Sequence, residues 1–230
     1  MMRTVRRAFL LPAAGVLAVA LVACQGPGPA PSPGPASGSP FPESTAPATA
    51  AAPTTAQAPP PLSAEAQAQL DQQLVAAAKA NNAQLVAGLI GRGGGVNAKD
   101  SLQDSAFLYA GAEGYNEVLQ LTLAAGADVA STNRYGGTAL IPASEHGHVE
   151  TVKILIAAGV PVNHVNNLGW TALQEAILLN DGGPRQQEVV RLLLAAGADP
   201  DIRDPQGRTA LQNAGRLGFT EIAALIQGHG

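Results

Sequence analysis

Arg191–Asp199 reads RLLLAAGAD, and the return of that phrase along the chain decides the fold. Leu119–Asp128 reads LQLTLAAGAD and Val152–Gly159 reads VKILIAAG, the same apolar run closing on Ala-Ala-Gly. Glycine enters the left-handed conformation without a Cβ clash, so Gly126, Gly159 and Gly197 are predicted helix stops. The helix before each stop opens with an acid, at Glu117, Glu150, Glu188 and Glu221, spaced by 33, 38 and 33 residues. A carboxylate in the first turn complements the positive end of the helix dipole. Further upstream, Ser105, Thr138, Thr171 and Thr209 recur at 33, 33 and 38 residues, and each is predicted to cap a first helix with its hydroxyl. A unit of this period builds a solenoid, in which thin helices stack and no single large core has to be filled.

The 38-residue step leaves extra residues around Asn180-Asp181-Gly182-Gly183-Pro184, which are expected to lengthen the turn between the two helices of that unit. Earlier in the chain, Ser63 is placed to cap a helix from Ala64 to Ala80, with Leu70, Leu74 and Ala77 or Ala78 on one face. A second helix from Ala83 to Ile90 meets the glycine run Gly91–Gly95. No Lys-Ser or Lys-Thr follows that run and no strand precedes it, so it reads as a helix stop and not as a phosphate loop.

Gly136-Gly137-Thr138-Ala139-Leu140, Gly147-His148-Val149-Glu150, Ile156-Ala157-Ala158-Gly159, Gly169-Trp170-Thr171-Ala172-Leu173 and Ala195-Ala196-Gly197-Ala198-Asp199 resemble the signatures of the ankyrin repeat. The resemblance runs from about Leu74 to the C-terminus. It implies an all-α ankyrin-repeat solenoid of about five helix-turn-helix units with β-turn fingers over residues 63–230, and protein recognition as its activity. His148 is implied to cap the turn between helices. Departures from the pattern carry expectations too. Leu108, Ile141, Gln174 and Gln212 stand in place of the family's first-helix histidine, and alanine replaces the proline before it, which implies a thinner polar network between units. Gln227 occupies the place of Leu123, Ile156 and Leu194, as suits a last unit whose outer face meets water.

The formal charge is −4, including Arg3, Arg6 and Arg7 near the N-terminus. The remaining Lys and Arg are scattered among a larger number of acids, which argues against a nucleic-acid partner. Met1–Cys24 has the form of a secretory leader, with a basic start, an apolar run from Ala8 to Ala23 and small residues before Cys24. That run is shorter than the roughly 20 residues of a spanning helix. Leu21-Val22-Ala23-Cys24 resembles the lipobox of bacterial lipoproteins, which implies cleavage before Cys24 and its acylation. Gln25 in place of aspartate then implies the outer membrane. Residues 24–62 form the lipidated cysteine and a tether of Pro, Ala, Ser, Thr and Gly, too poor in apolar surface to offset its ordering entropy.

Within the resemblance, the fingers and exposed first-helix positions line a concave face, and the protein-binding candidates are Tyr109, Glu113, Arg134, Tyr135, Glu145, His146, Asn167, Trp170, Leu178 and Arg203. Tyr and Trp are frequent interface anchors. His146 and His148 lack the further ligands of a closed metal site. No G-x-S-x-G elbow occurs, Cys24 is taken by the anchor, and Asp100, Asp104 and Asp204 are expected on fingers open to water. The chain thus reads as no enzyme, with no cofactor, metal or small-molecule substrate. It reads as a monomer in the bacterial cell envelope, tethered through Cys24 to the outer membrane facing the periplasm and binding a protein. Two narrower roles fit the same reading: immunity against an envelope-targeting toxic enzyme, and an accessory part in oxidative-stress defence.

Overall fold

The computed structural model describes residues 62–229, so Cys24, the leader and all of the tether but Leu62 lie outside the described residues. The described residues form ten helices and no strand: α1 (Ala64–Lys79), α2 (Ala83–Gly91), α3 (Ala106–Glu113), α4 (Asn116–Ala124), α5 (Leu140–Glu145), α6 (Val149–Ala157), α7 (Ala172–Leu178), α8 (Pro184–Ala195), α9 (Ala210–Leu217) and α10 (Thr220–Gln227). Each odd-numbered helix packs on the even-numbered helix that follows it. The odd helices also touch one another in sequence, as do the even ones, so five helix pairs stack into two parallel rows. None of these helices is long and apolar enough to cross a membrane.

The repeat period puts the same residue type in the same place in each pair. Ala77, Ala110, Ala143, Ala176 and Ala214 form one buried column along the first row, small enough to let neighbouring helices approach closely. At Gly111 the approach is closer still, since a Cβ there would lie 2.8 Å from that of Ala139. Leu74, Phe107, Leu140 and Leu173 form a second column, and Leu119, Val152 and Val190 a third between the rows, all of them 1% exposed or less. Each such side chain contributes about 1.5–3 kcal/mol relative to an exposed one, so stability is spread along the stack.

The finger of each unit closes on one side chain. Oδ1 of Asp100, Asn133, Asn166 and Asp204 accepts from the backbone N–H two and four residues later. A turn bond then forms three residues on, with positive φ at Gly136, Gly169 and Gly207 and, in the first finger, at Gln103.

Several expectations need correction. Ser105, Thr171 and Thr209 cap their helices, but Thr138 does not, and α5 starts only at Leu140. Pro142 explains this. The Thr138 carbonyl would normally accept from residue 142, as the Thr171 carbonyl accepts from Glu175 and the Thr209 carbonyl from Asn213. Pro142 has no N–H, so Ile141 donates to that carbonyl instead, 3.2 Å away, and the Thr138 hydroxyl is buried without a partner. The extra residues of the third full unit lengthen its turn only in part. The rest extend α8, which has 12 residues where α4 and α6 have 9, and this moves Glu188 out of the first turn. His148 occupies the N-cap of α6 but makes no side-chain cap bond; its ring lies against Gly114 of the preceding pair. Asp204 is not open to water: it is buried under Arg208 and Asn213.

The polar links between pairs come from other residues than the missing histidines. Asn97 donates to Gly126 O and accepts from Asp128 N, and Asn163 repeats both bonds with Gly197 and Asp199. Between them in register stands Ala130, and the residue whose N–H it would meet is Pro161, so donor and acceptor are lost together. Gln174 both completes a capping box with Thr171 and donates to Ile202 O of the next pair.

The candidate recognition groove

A groove of about 350 Å³ runs between the fingers and the first row of helices. Its walls are Tyr109, Tyr135 and Trp170, with Leu168 and Pro142, and its carboxylates are Asp104, Glu113, Glu145 and Glu175. Tyr109 is there because it falls one turn after the Ser105 cap, at a part-exposed position among the buried residues of α3. Tyr135 and Trp170 are there because the Asn133 and Asn166 side chains fold their fingers back over the helices. The Trp170 Nε1–H is buried with no acceptor.

Of the sequence candidates, Tyr109, Glu113, Arg134, Tyr135, Glu145, His146 and Trp170 meet in this one groove, whereas Asn167, Leu178 and Arg203 lie outside it. The Asn167 backbone N–H donates to Tyr135 O, and its side chain lies close against Gly136, joining two fingers. Leu178 is half-buried on α7. Arg203 folds onto its own finger, 2.6 Å from Gly207 O.

Charges at the first end of the groove satisfy one another. Lys79 lies 2.6 Å from Asp100 Oδ2 and 3.1 Å from Asp104 Oδ2, with its ammonium 5.2 Å from the centre of the Tyr109 ring. Burial works against the charged lysine, but the hydrogen bonds to Asp100 and Asp104 outweigh it and raise its pKa. Arg134 lies 3.7 Å from Asp104 and 4.8 Å over the Tyr135 ring. His146 donates from Nδ1 to Ala112 O at 2.8 Å, since a carbonyl can only accept.

The other end is different. Glu175 is 5% exposed, and Oε1 accepts from Asn166 Nδ2 at 2.7 Å. Burial, with repulsion from Glu145 added, pushes its pKa up to about 7, against the opposing pull of Asn166 and His146. Glu175 is not among the candidates read from the sequence. Among the described residues, no three or more His, Cys, Asp or Glu gather where they could hold a metal.

The family described as "Ankyrin repeats (3 copies)" matches residues 74–160 and 107–204. Among curated proteins, the ankyrin repeat protein YahD of Escherichia coli K12 is 54% identical over 54 residues, 24% of this chain and 27% of that protein. The human mitochondrial disaggregase is 47% identical over 58 residues, 25% of this chain and 8% of that protein. The chain thus spans about a quarter or less of the curated relatives it matches. Among solved structures, an ankyrin repeat domain from Acinetobacter baumannii AYE is similar at 58% identity and a TM-score of 0.67, over 68% of this chain and 80% of that one. The ankyrin repeat protein EF0377 is similar at 41% identity and a TM-score of 0.66, over the same shares of 68% and 80%. Such stacks are in general non-catalytic scaffolds that bind other proteins. With five stacked pairs, four fingers closed in one way and these matches across the stack, the chain belongs to the ankyrin-repeat family.

Proposed function

We propose that the protein is a membrane-tethered, extracytoplasmic recognition module that seats a protein partner in the groove of its concave face. The observation that carries this is the meeting of Tyr109, Tyr135 and Trp170 around one groove, in a chain with three Tyr and a single Trp. Rigid aromatics give large contact area at low entropic cost, and fingers of one construction hold them in place. The tethering part of the reading is supported by the lipobox-like Leu21-Val22-Ala23-Cys24 and the Pro/Ala/Ser-rich stretch after it. Acyl chains on Cys24, at about 0.8 kcal/mol per buried methylene, would hold the module at a membrane while the stretch after it gives reach.

Crosslinked capture from membranes tests the recognition reading. A Trp170→Ala, Tyr135→Ala double variant is expected to lose the partners that the unaltered chain retains; recovery of the same partners in the same yield would refute it. Replacing Cys24 with Ser is expected to shift the protein out of the membrane fraction or block its processing. A correctly cleaved Cys24→Ser product that stays with the membrane would end the lipid-anchor reading.

A further inference from the structure

Because the pairs are copies in register, a polar site can be compared with its counterpart in the next pair, 38 residues on between the last two pairs. Asn166 and Glu175 of one pair correspond to Asp204 and Asn213 of the next. Both couples join finger to helix, at 2.7 Å and 2.9 Å, but the carboxylate has changed sides. Asp204 has a cation of its own: Arg208 reaches its Oδ2 with Nε at 3.0 Å and with the terminal NH2 at 2.9 Å. Burial works against that carboxylate, yet the bonds from Asn213 and Arg208 outweigh it and pull its pKa to about 2. The counterpart of Arg208 is Trp170. Glu175 is as deeply buried as Asp204 and has no cation among the described residues.

Among the described residues no other basic group takes that place. Lys79 is held by Asp100 and Asp104, and Arg134 by Asp104 and the Tyr135 ring. Arg185 lines the neighbouring depression with Glu145 and His146 and forms no ion pair among the described residues. Oε2 of Glu175 receives no hydrogen bond among the described residues and keeps some contact with solvent, in a residue 5% exposed that lines the groove. The charged and titratable groups facing it are Glu145 and His146 of α5, with Glu113 of α3 further along.

We propose that the groove receives a lysine or arginine side chain of the protein partner at the Glu145–Glu175 pair, supplying from outside the cation that Arg208 supplies to Asp204 from within. This rests on the reading of the groove as a recognition surface and names what it recognises. The walls fit such a visitor, because aromatic faces accept both the apolar stem and the charged head of a basic side chain. The volume of about 350 Å³ lies at the lower end of the usual range for ligand pockets, room for a side chain and its flanking backbone. The formal charge of −4 favours approach of a basic surface. Arrival of the cation drives the proton off Glu175, so binding strengthens as the pH rises through about 7.

The test is selection of binders to the full chain from a random displayed peptide library, followed by titration of a selected peptide by tryptophan fluorescence. Basic peptides are expected to dominate the pool. Their affinity should fall at least about tenfold in Glu175→Gln and on replacing the peptide's Arg by citrulline or its Lys by norleucine. Affinity should also rise severalfold from pH 6 to pH 8 in the unaltered chain and not in the variant. Circular dichroism verifies that Glu175→Gln is folded. If apolar or acidic peptides dominate, lose binding in the Trp170→Ala, Tyr135→Ala double variant, and bind Glu175→Gln and Glu145→Gln as well as the unaltered chain, the cation proposal is overturned while the groove stays a recognition site. If the selected peptides bind the double variant undiminished, the recognition reading falls as well.

Discussion

Replacing Glu175 with Gln should make the protein more stable, and by an amount that depends on pH. In the folded chain this carboxyl group titrates near 7, against an ordinary value of 4.5. The folded state therefore holds a proton that the unfolded state has released throughout that window. Stability of the unaltered chain is untouched by this group below about 4.5, falls as the pH rises through the window, and levels off above about 7. At 1.36 kcal/mol per unit, the loss is on the order of 3 kcal/mol for a group 5% exposed. Glutamine keeps the acceptor for Asn166 Nδ2 and carries no charge to desolvate. Urea unfolding of both chains at pH 4.5, 6, 7 and 8, followed by circular dichroism, should show curves that coincide at the lowest pH and diverge to roughly that difference at the highest. Groups that do not face Glu175 cancel between the two chains, so the pH-dependent part of the difference reports this site. A gap that does not change with pH, or a variant less stable than the parent at pH 8, would refute the assignment of a buried, uncompensated carboxylate. The same variant should be poorer at binding a basic partner, so that stability and recognition move in opposite directions.

Smaller effects follow from register. Gln103 holds φ at 63° where the other three fingers have glycine, a conformation costing an L-residue about 1–2 kcal/mol. Gln103→Gly should relieve that and lose part of it to the greater freedom of the unfolded chain, leaving a net gain of about 0.5 kcal/mol in urea midpoint measurements. Asn163→Ala removes both bonds to the next pair, at 3.0 Å and 2.8 Å, and should cost about 1 kcal/mol, with faster amide exchange at Asp199. Ala130→Asn can regain only the donor bond, to Gly159 O, since Pro161 has no N–H for it to accept, and should raise thermal stability by no more than about 0.5 kcal/mol.

The repeat was legible because stacking demands the same answer each time: a hydroxyl cap, a column of alanine, a glycine where the second helix stops. Its exceptions were written in the sequence too, but in pairs of residues and not in single letters. Thr138 looks like a cap until Pro142, four residues on, is seen to withhold the N–H that organises the turn. Tyr109, Tyr135 and Trp170 could be placed on one side because the resemblance to the ankyrin repeat gives each register position a face. What the sequence did not display was which carboxylates already have cations. Asp104 is answered by Lys79 and Arg134, at 3.1 and 3.7 Å, from separations along the chain that no spacing rule gives, while Asp204 is answered at 2.9 Å by Arg208, four residues on. Aligning position 170 with 208 and 175 with 213 does contain the signal, though it shows that an arginine is missing and leaves open whether Glu175 is buried. Arg203 and Leu178 fall outside the groove because their own finger and helix absorb them.

The claim that partners enter the concave groove is tested most directly by a photoreactive amino acid placed in living cells at position 135, inside the groove, and at position 191, exposed on α8 in the other row of helices. Irradiation should give a discrete crosslinked protein adduct from position 135 and none from position 191. An adduct from 191 with none from 135 would contradict the account.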